Sequence, residues 1–597
     1  MTGLTTAVPG PREDGSPREE GTPRQDGDAR EDGGPAPRAE RPRLRVRGLH
    51  VSFDLPGGRR DVVSDVSFDL LPGRCVAIVG ESGSGKSVTA RTLAGLTGRG
   101  ADVRAEEISL DGEDVRTFSA RHWRAVRGRA IGFVLQDALV SLDPLRPVGR
   151  EIAEALAVHG WGTRATRRRR VLDLLTAVGV PLPEQRAAQR PGELSGGLRQ
   201  RALIASAIAL DPPVVVADEP TTALDVTVQA QVLAELEAMK GRGVSIVLIS
   251  HDLSVVAHLA DHLLVMKDGR VVEAGPAGQV LGTPQHPYTR RLIAAVPGDH
   301  TRGERLAPDL EPALPALPDA VHGERLDHDG PVLVASGLVK DFRTPDGGAQ
   351  RAVDGVSFRL ERGRSLGIVG ESGSGKSTTA RIVLALERPD AGAVELLGRP
   401  WTAVPERERR PLRRRIGAVY QDPLSSFDPR WTVRRILLDA LAGTAYRTAA
   451  ERGARVVELL GQVGLDAEVL DRFPLRLSGG QRQRVAIGRA LAAHPQVLVL
   501  DEAVSALDVS IQAQVLDLLV DLQDHLGLSY LFISHDLGVV RHLCDEVLVM
   551  KDGVVVESGA VEDVFQRPQH PYTVELVRAL PHLDRRLTPA ATPEETR

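Results

Sequence analysis

The pattern of apolar and polar positions along this chain occurs twice. From Leu44 the residues alternate (Leu44-Arg45-Val46-Arg47-Gly48-Leu49-His50-Val51-Ser52-Phe53), the period-two signature of a half-buried strand, and a second β run extends from Val62 to Leu71. Unbroken apolar runs follow: Cys75-Val76-Ala77-Ile78-Val79, then Val214-Val215-Val216-Ala217, then Ser245-Ile246-Val247-Leu248-Ile249. Short runs of this kind predict strands of a parallel sheet buried on both faces. Between them, Arg-rich segments with helical spacing at about 137–193, and again at 422–476, predict an inserted helical subdomain.

A second block begins at Val332 and repeats the order. Lys86 and Lys376 stand 290 residues apart, Gln136 and Gln421 285, Ser195 and Ser478 283, Glu219 and Glu502 283, and His251 and His535 284. Landmarks that hold register over a whole domain indicate an internal duplication. The expected architecture is α/β, with two copies of one fold at 43–297 and 332–582.

The remaining segments lack periodicity. Residues 1–42 are Pro, Gly, Arg, Glu and Asp with hardly an apolar side chain, so a disordered N-terminal arm is expected. Residues 298–331 are expected to form a flexible linker spanning about 30–35 Å, enough to cross a domain of roughly 18 Å radius of gyration. Tethering of this kind holds one copy around the other at roughly millimolar effective concentration, so the copies should act on each other. Residues 583–597 are expected to be a C-terminal tail.

Composition narrows the class. A net charge of −5 over 597 residues leaves no nucleic-acid footprint. The two cysteines, Cys75 and Cys544, exclude a disulfide framework and cysteine-ligated metal sites, and suit a reducing compartment. No run of about 18 apolar residues is present, so no membrane span is expected, and the N-terminus lacks a signal-peptide apolar region. A cytosolic address is the default.

The chemistry is carried by a phosphate-binding loop present in both copies. Gly80-Glu81-Ser82-Gly83-Ser84-Gly85-Lys86-Ser87 recurs letter for letter as Gly370-Glu371-Ser372-Gly373-Ser374-Gly375-Lys376-Ser377, each between a strand-like and a helix-like run. The glycines let successive N–H groups form a nest for phosphate oxygens, and the following helix adds its positive end. Lys86 and Lys376 would sit on the β/γ-phosphates, and Ser87 and Ser377 would ligate Mg²⁺. The chain has only six lysines, and two of them fall here.

Four further positions recur. Gln136 and Gln421 end strands where an amide can contact Mg²⁺ or the attacking water. Leu194-Ser195-Gly196-Gly197 and Leu477-Ser478-Gly479-Gly480 read as N-caps of open helix N-termini, a second anion site. Asp218 and Asp501 end buried strands and are placed to hold Mg²⁺, with Glu219 and Glu502 next to them as general bases. His251 and His535 end the last strands, where an imidazole can bond a γ-phosphate. The basic runs, such as Arg167-Arg168-Arg169-Arg170, read most simply as solvated helix faces, with a membrane-surface or partner role as the alternative.

This set in this order resembles the ATP-binding cassette ATPases across 43–297 and 332–582. The resemblance implies, in each copy, a P-loop NTPase cassette with a RecA-like mixed sheet core, a helical subdomain and an antiparallel β subdomain. It further implies Walker A, Q-loop, LSGG signature, Walker B with its catalytic Glu, D-loop (Ala223-Leu224-Asp225, Ala506-Leu507-Asp508) and switch His. The finer wording, including Gln-Asp-Pro-Leu-Ser-Ser-Phe-Asp-Pro at 421–429 and Pro-Gln-His-Pro-Tyr-Thr at 284–289 and 568–573, is similar to the paired ATPases of bacterial peptide/nickel importers.

The family implies ATP and Mg²⁺ as cofactors and a head-to-tail sandwich. ATP at Lys86 would be covered by Ser478 and Gly480, and ATP at Lys376 by Ser195 and Gly197. Two integral-membrane permease subunits are the implied partners, with a solute-binding protein behind them, and a peripheral position at the cytoplasmic membrane face. A soluble tandem cassette acting on ribosomes or DNA, and a drug exporter, are the competing classes. Three departures stand out. The cysteine-rich iron–sulfur motif of some members is absent, so no cluster is expected. Phe53 and Phe342 occupy the place of the adenine-stacking aromatic, often Tyr. Ala138 replaces the proline found at Pro423.

Overall fold

The computed structural model describes residues 41–579 apart from 56–57, 99, 137–140, 222–223, 299–300, 309–329, 344–347 and 506. The expected arm (but for residues 41–42) and tail, the bulk of the linker, Ala138, and the alanines at 223 and 506 therefore lie outside the described residues.

Each copy is built on a six-stranded sheet. In the first, the order is Arg270–Pro276, His262–Lys267, Cys75–Val79, Ser245–Ile249, Val214–Asp218, Ile131–Val134, all parallel except the Arg270–Pro276 edge. The second repeats it with Val554–Ala560, Glu546–Lys551, Ser365–Val369, Ser529–Ile533, Val497–Asp501 and Ile416–Val419. The unbroken Val/Ile runs suit this position because both faces are covered: Val214, Val215, Val216 and Ala217 are all fully buried. Each such Val or Ile contributes about 1.5–3 kcal/mol over leaving it in water.

The alternating segments form a separate antiparallel sheet in each copy. Leu44–Leu55 pairs with Gly58–Leu70 and Glu107–Leu110, and Leu333–Arg343 pairs with Ala349–Leu360 and Ala391–Leu396. The helical insertions appear as Val148–Val158, Arg164–Ala177 and Pro183–Ala188, and as Val433–Ala440 and Ala449–Gln462. In the basic run Arg168 and Arg169 are exposed, as a solvated face would have them, whereas Arg167 and Arg170 are half-buried and bonded. Arg170 makes two 2.7 Å bonds to the Asp211 carboxylate, and Arg167 takes the carbonyls of Trp161 and Gly162.

Parallel order puts the C-terminal ends of four strands side by side. The phosphate loop, Gln136, Asp218-Glu219 and His251 all leave the sheet at that edge, the usual crevice of an open α/β sheet.

One expectation is corrected. Residues 301–308, anticipated as flexible linker, are fixed on the second copy. Asp517 accepts the backbone N–H groups of Leu306 (3.0 Å) and Ala307 (2.9 Å), and Arg305 pairs with Asp521 at 2.9 Å. Arg302 bonds Asp545, Thr301 meets the buried His542, and Leu306 is 2% exposed. The cause is an acidic helix face, since Asp517 and Asp521 stand where the first copy has Ala234 and Ala238. A polar linker sequence thus finds in Asp517 and Asp521 two acceptors that only the second copy carries, while Asp545 and His542 have counterparts in Asp261 and His258.

Candidate functional site

The two phosphate loops adopt the same conformation. Gly85 and Gly375 lie at φ +101° and +100°, the left-handed region that glycine enters freely. A Cβ on Gly80 or Gly370 would stand 2.1 Å from the carbonyl oxygen of Met266 or Met550, so no larger residue fits. Helices Lys86–Leu93 and Lys376–Val383 begin at the two lysines. Both lysines are buried and folded back on their own loops. Lys86 Nζ donates to the carbonyls of Gly80 (2.7 Å) and Glu81 (2.8 Å), and Lys376 Nζ to those of Gly370 (2.8 Å) and Glu371 (2.7 Å). Burial pushes the pKa of each ammonium down, and the surrounding carboxylates oppose it.

Beside each loop lies the carboxylate group. Ser87 donates to Asp218 Oδ1 at 3.0 Å and Ser377 to Asp501 Oδ1 at 3.3 Å. Burial pushes both aspartates above the ordinary carboxylate range, as does the adjacent glutamate. Asp218 is fully buried, and its Oδ2 has no hydrogen-bond partner among the described residues.

The glutamates are held from two sides. Gln136 Nε2 donates to Glu219 Oε2 at 2.9 Å, and His251 Nδ1 lies 3.3 Å from the same oxygen. In the second copy Gln421 Nε2 donates to Glu502 Oε2 at 2.7 Å, with His535 Nδ1 at 3.5 Å. Burial would lower the histidine pKa values, yet the glutamate contact holds both above the ordinary imidazole value. Glu219 and Glu502 themselves sit at φ +51° and +50°. Non-glycine residues in that region cost about 1–3 kcal/mol and persist where the surroundings impose them. Here the Glu219 N–H continues the sheet ladder to Ile249 O, and Glu502 N–H to Ile533 O, both at 2.9 Å. Sequence reading found the glutamates and missed the strain.

Ser195 and Ser478 are N-caps of helices Gly196–Ala207 and Gly479–Leu491, as expected. Ser478 forms a reciprocal box with Gln481, whereas Leu198 at the matching place cannot return the bond. A Cβ on Gly480 would meet Ile511 at 2.5 Å and one on Gly197 would meet Val228 at 3.2 Å, so these glycines let the signature turns approach the next helix. Phe53 is half-buried in the first antiparallel sheet, while Phe342 is 40% exposed with Lys340 Nζ 5.6 Å from its ring centre. Their hairpins reach the phosphate loops on the returning strands, where Val62 O and Ala352 O crowd Gly85 and Gly375.

The copies also touch at these loops. Ser372 N–H donates to Asp225 Oδ2 at 3.4 Å, and Thr227 Oγ1 donates to Glu371 Oε1 at 2.8 Å. Asp508 of the second copy contributes to the field at Lys86, as Asp225 of the first does at Lys376. Each phosphate loop thus faces the helix that Asp225 or Asp508 caps in the other copy.

The sequence pattern of the ABC transporter family matches residues 63–222 and 353–505, and that of the oligopeptide/dipeptide transporter C-terminal region matches 272–323 and 556–597. The chain belongs to the ABC transporter ATP-binding proteins. It is 43% identical to the oligopeptide transport ATP-binding protein OppD of Mycobacterium tuberculosis, over 91% of this chain and 99% of that one. It is 44% identical to the peptidoglycan transport ATP-binding protein YejF of Agrobacterium fabrum, over 90% and 96%. Identity to the glutathione import ATP-binding protein GsiA of Pectobacterium atrosepticum is 42%, over 91% and 90%. The two copies are therefore ATP-binding cassettes that hydrolyse ATP to drive transport. Among the described residues no helix is long and apolar enough to cross a membrane.

Proposed function

We propose that this chain energises a binding-protein-dependent importer of peptide-class solutes from the cytoplasmic face of the membrane. The observation that carries the reading is the oligopeptide/dipeptide transporter region, which follows both cassettes rather than one. The names of the relatives, which cover oligopeptide, peptidoglycan and glutathione transport, support the same class.

In this reading ATP phosphates enter the loop nests, and Lys86 and Lys376 exchange loop carbonyls for phosphate oxygens. Mg²⁺ fits the first site because a hydroxyl bonded to a buried carboxylate that keeps one oxygen unpartnered suits a hard cation, and the second site repeats the hydroxyl–carboxylate pair. Ser87, Asp218 and Gln136 would hold it in one cassette, and Ser377, Asp501 and Gln421 in the other, where it would supply positive charge against the phosphate oxygens. Glu219 and Glu502 take the proton of the attacking water, oriented by their Gln and His neighbours. Ser478 and Gly480 close over the Lys86 site, and Ser195 and Gly197 over the Lys376 site, so closure of the sandwich moves a pair of permease subunits through the helical subdomains.

The test is to purify the tagged chain from detergent-solubilised membranes and identify its companions. Two polytopic subunits from one permease, together with a solute-binding protein, support the importer. Ribosomal proteins, or no membrane protein at all, would overturn it while leaving the ATPase chemistry intact.

A further inference from the structure

The Pro-Gln-His-Pro-Tyr-Thr segments lie outside the catalytic set, yet in both cassettes one of their side chains reaches the phosphate loop. Tyr288 Oη accepts the backbone N–H of Glu81 at 3.1 Å, and Tyr572 Oη accepts that of Glu371 at 3.0 Å. Glu81 and Glu371 are the second residues of the two loops, and their carbonyls receive Lys86 Nζ and Lys376 Nζ. The same residue is therefore gripped on its N–H by a tyrosine and on its C=O by the phosphate-binding lysine. The carbonyl also accepts an N–H from within the loop, from Ser84 (3.2 Å) or Ser374 (3.1 Å), so the tyrosine is the hold on this peptide unit that comes from outside the loop and does not depend on the lysine.

The rest of the segment serves to aim that hydroxyl. Glu273, on the edge strand, accepts the N–H groups of Gln285 (2.8 Å) and His286 (3.0 Å). His286 Nδ1 then caps the helix Pro287–Ala294 by accepting Tyr288 N–H at 3.1 Å, and Pro287 fills the first helical position, where a missing N–H costs nothing. Lys267 Nζ sits 5.1 Å from the centre of the Tyr288 ring. The second cassette repeats every contact: Glu557 with Gln569 (2.8 Å) and His570 (3.0 Å), His570 with Tyr572 N–H (3.2 Å), and Lys551 Nζ 4.5 Å from the Tyr572 ring. Two more of the six lysines are thus committed to these rings. Both tyrosines are 3% exposed, and burial keeps their hydroxyls protonated.

The helices that carry them have a second neighbour. Pro287–Ala294 packs against Val509–Leu526 of the other cassette, and Pro571–Arg578 against Val226–Gly241. These are the helices capped by Asp508 and Asp225, which face the opposite phosphate loops.

We propose that Tyr288 and Tyr572 are positioning residues of the phosphate loops, fixing the Glu81 and Glu371 peptide units so that each nest is preformed for nucleotide. The loop geometry is then set partly by the transporter-specific C-terminal element, which itself rests on the opposite cassette.

The test is removal of the hydroxyl alone, with the ring and its lysine kept, in the full chain. Binding of ATP in the presence of Mg²⁺ would be titrated for Tyr288→Phe, Tyr572→Phe and the pair, with KM, kcat and thermal unfolding measured alongside. Loss of one such bond should weaken binding about three- to tenfold. The expected pattern is site-specific. Each single variant weakens one of the two binding events, the pair weakens both, and the change falls on Kd and KM more than on kcat. Unchanged affinity would overturn the proposal, and so would a lower melting temperature with affinity intact, which is what a purely structural tyrosine gives.

Discussion

His535 Nδ1 stands 3.5 Å from Glu502 Oε2, and the contact biases both groups toward their charged forms. Burial would raise the Glu502 pKa, yet bonding to His535 and the nearby Lys376 ammonium hold it below the ordinary carboxylate range. A base with a lowered pKa stays ionised further into acid.

Its loss should therefore show on the acid side of the pH–rate profile. In His535→Ala, burial acts on Glu502 without the imidazole to oppose it, so Glu502 picks up its proton earlier as pH falls. The acid limb of ATP turnover should move to higher pH. The cleanest measurement uses a Glu219→Gln background, which leaves turnover to the Lys376 site. A limb that stays in place, or moves to lower pH, contradicts the electrostatic role assigned to the pair.

Replacing both Glu219 and Glu502 by Gln keeps the shape of the site and removes the proton acceptors. Turnover should fall about 10²- to 10⁴-fold, the usual contribution of a positioned base. Nucleotide should be retained as ATP rather than ADP, which analysis of the nucleotide bound after desalting would read. Turnover near that of the unsubstituted protein would remove these residues from the role of base.

Much of this site was legible in the sequence because its parts lie at strand ends, and strands of four to six buried Val, Ile and Leu are conspicuous. Duplication did the rest, since a lone Gln136 or His251 carries little meaning until Gln421 and His535 recur in register. What stayed hidden depends on tertiary approach. Nothing in the local sequence indicates that Glu219 adopts a left-handed backbone, because the strain comes from the ladder and the neighbouring strand. Tyr288 was visible as part of a repeated motif, but its bond to Glu81 spans 207 residues. The fixed part of the linker is hidden for a related reason. Residues 301–308 have no periodicity of their own, and the carboxylates that fix them belong to a helix some 210 residues away.

That segment makes its own prediction. Asp517 is 5% exposed and accepts two backbone N–H groups from it. Asp517→Ala leaves both donors without an acceptor, at a cost of about 2–3 kcal/mol. The second cassette should unfold at lower temperature, and trypsin should cut at Arg302 or Arg305 in the otherwise folded chain. Equal protection of these two arginines in the variant would show that the strap is held by something else.

The cross-cassette contacts make the two ATP sites separable by substitution. Thr227 and Asp225 reach the second phosphate loop, and Asp508 contributes to the field at Lys86, so residues of the opposite cassette act on each loop. Arg at Ser478 would place a bulky cation at the N-terminus of the signature helix, where Ser478 now caps Gln481 N–H. If Ser478 covers the Lys86 site, Ser478→Arg should reduce vanadate-trapped photolabelling of peptides from residues 43–297, and Ser195→Arg should reduce labelling of those from 332–582. Labelling lost instead from the cassette that carries the substitution would mean that each cassette covers its own nucleotide, and the head-to-tail closure would have to be abandoned.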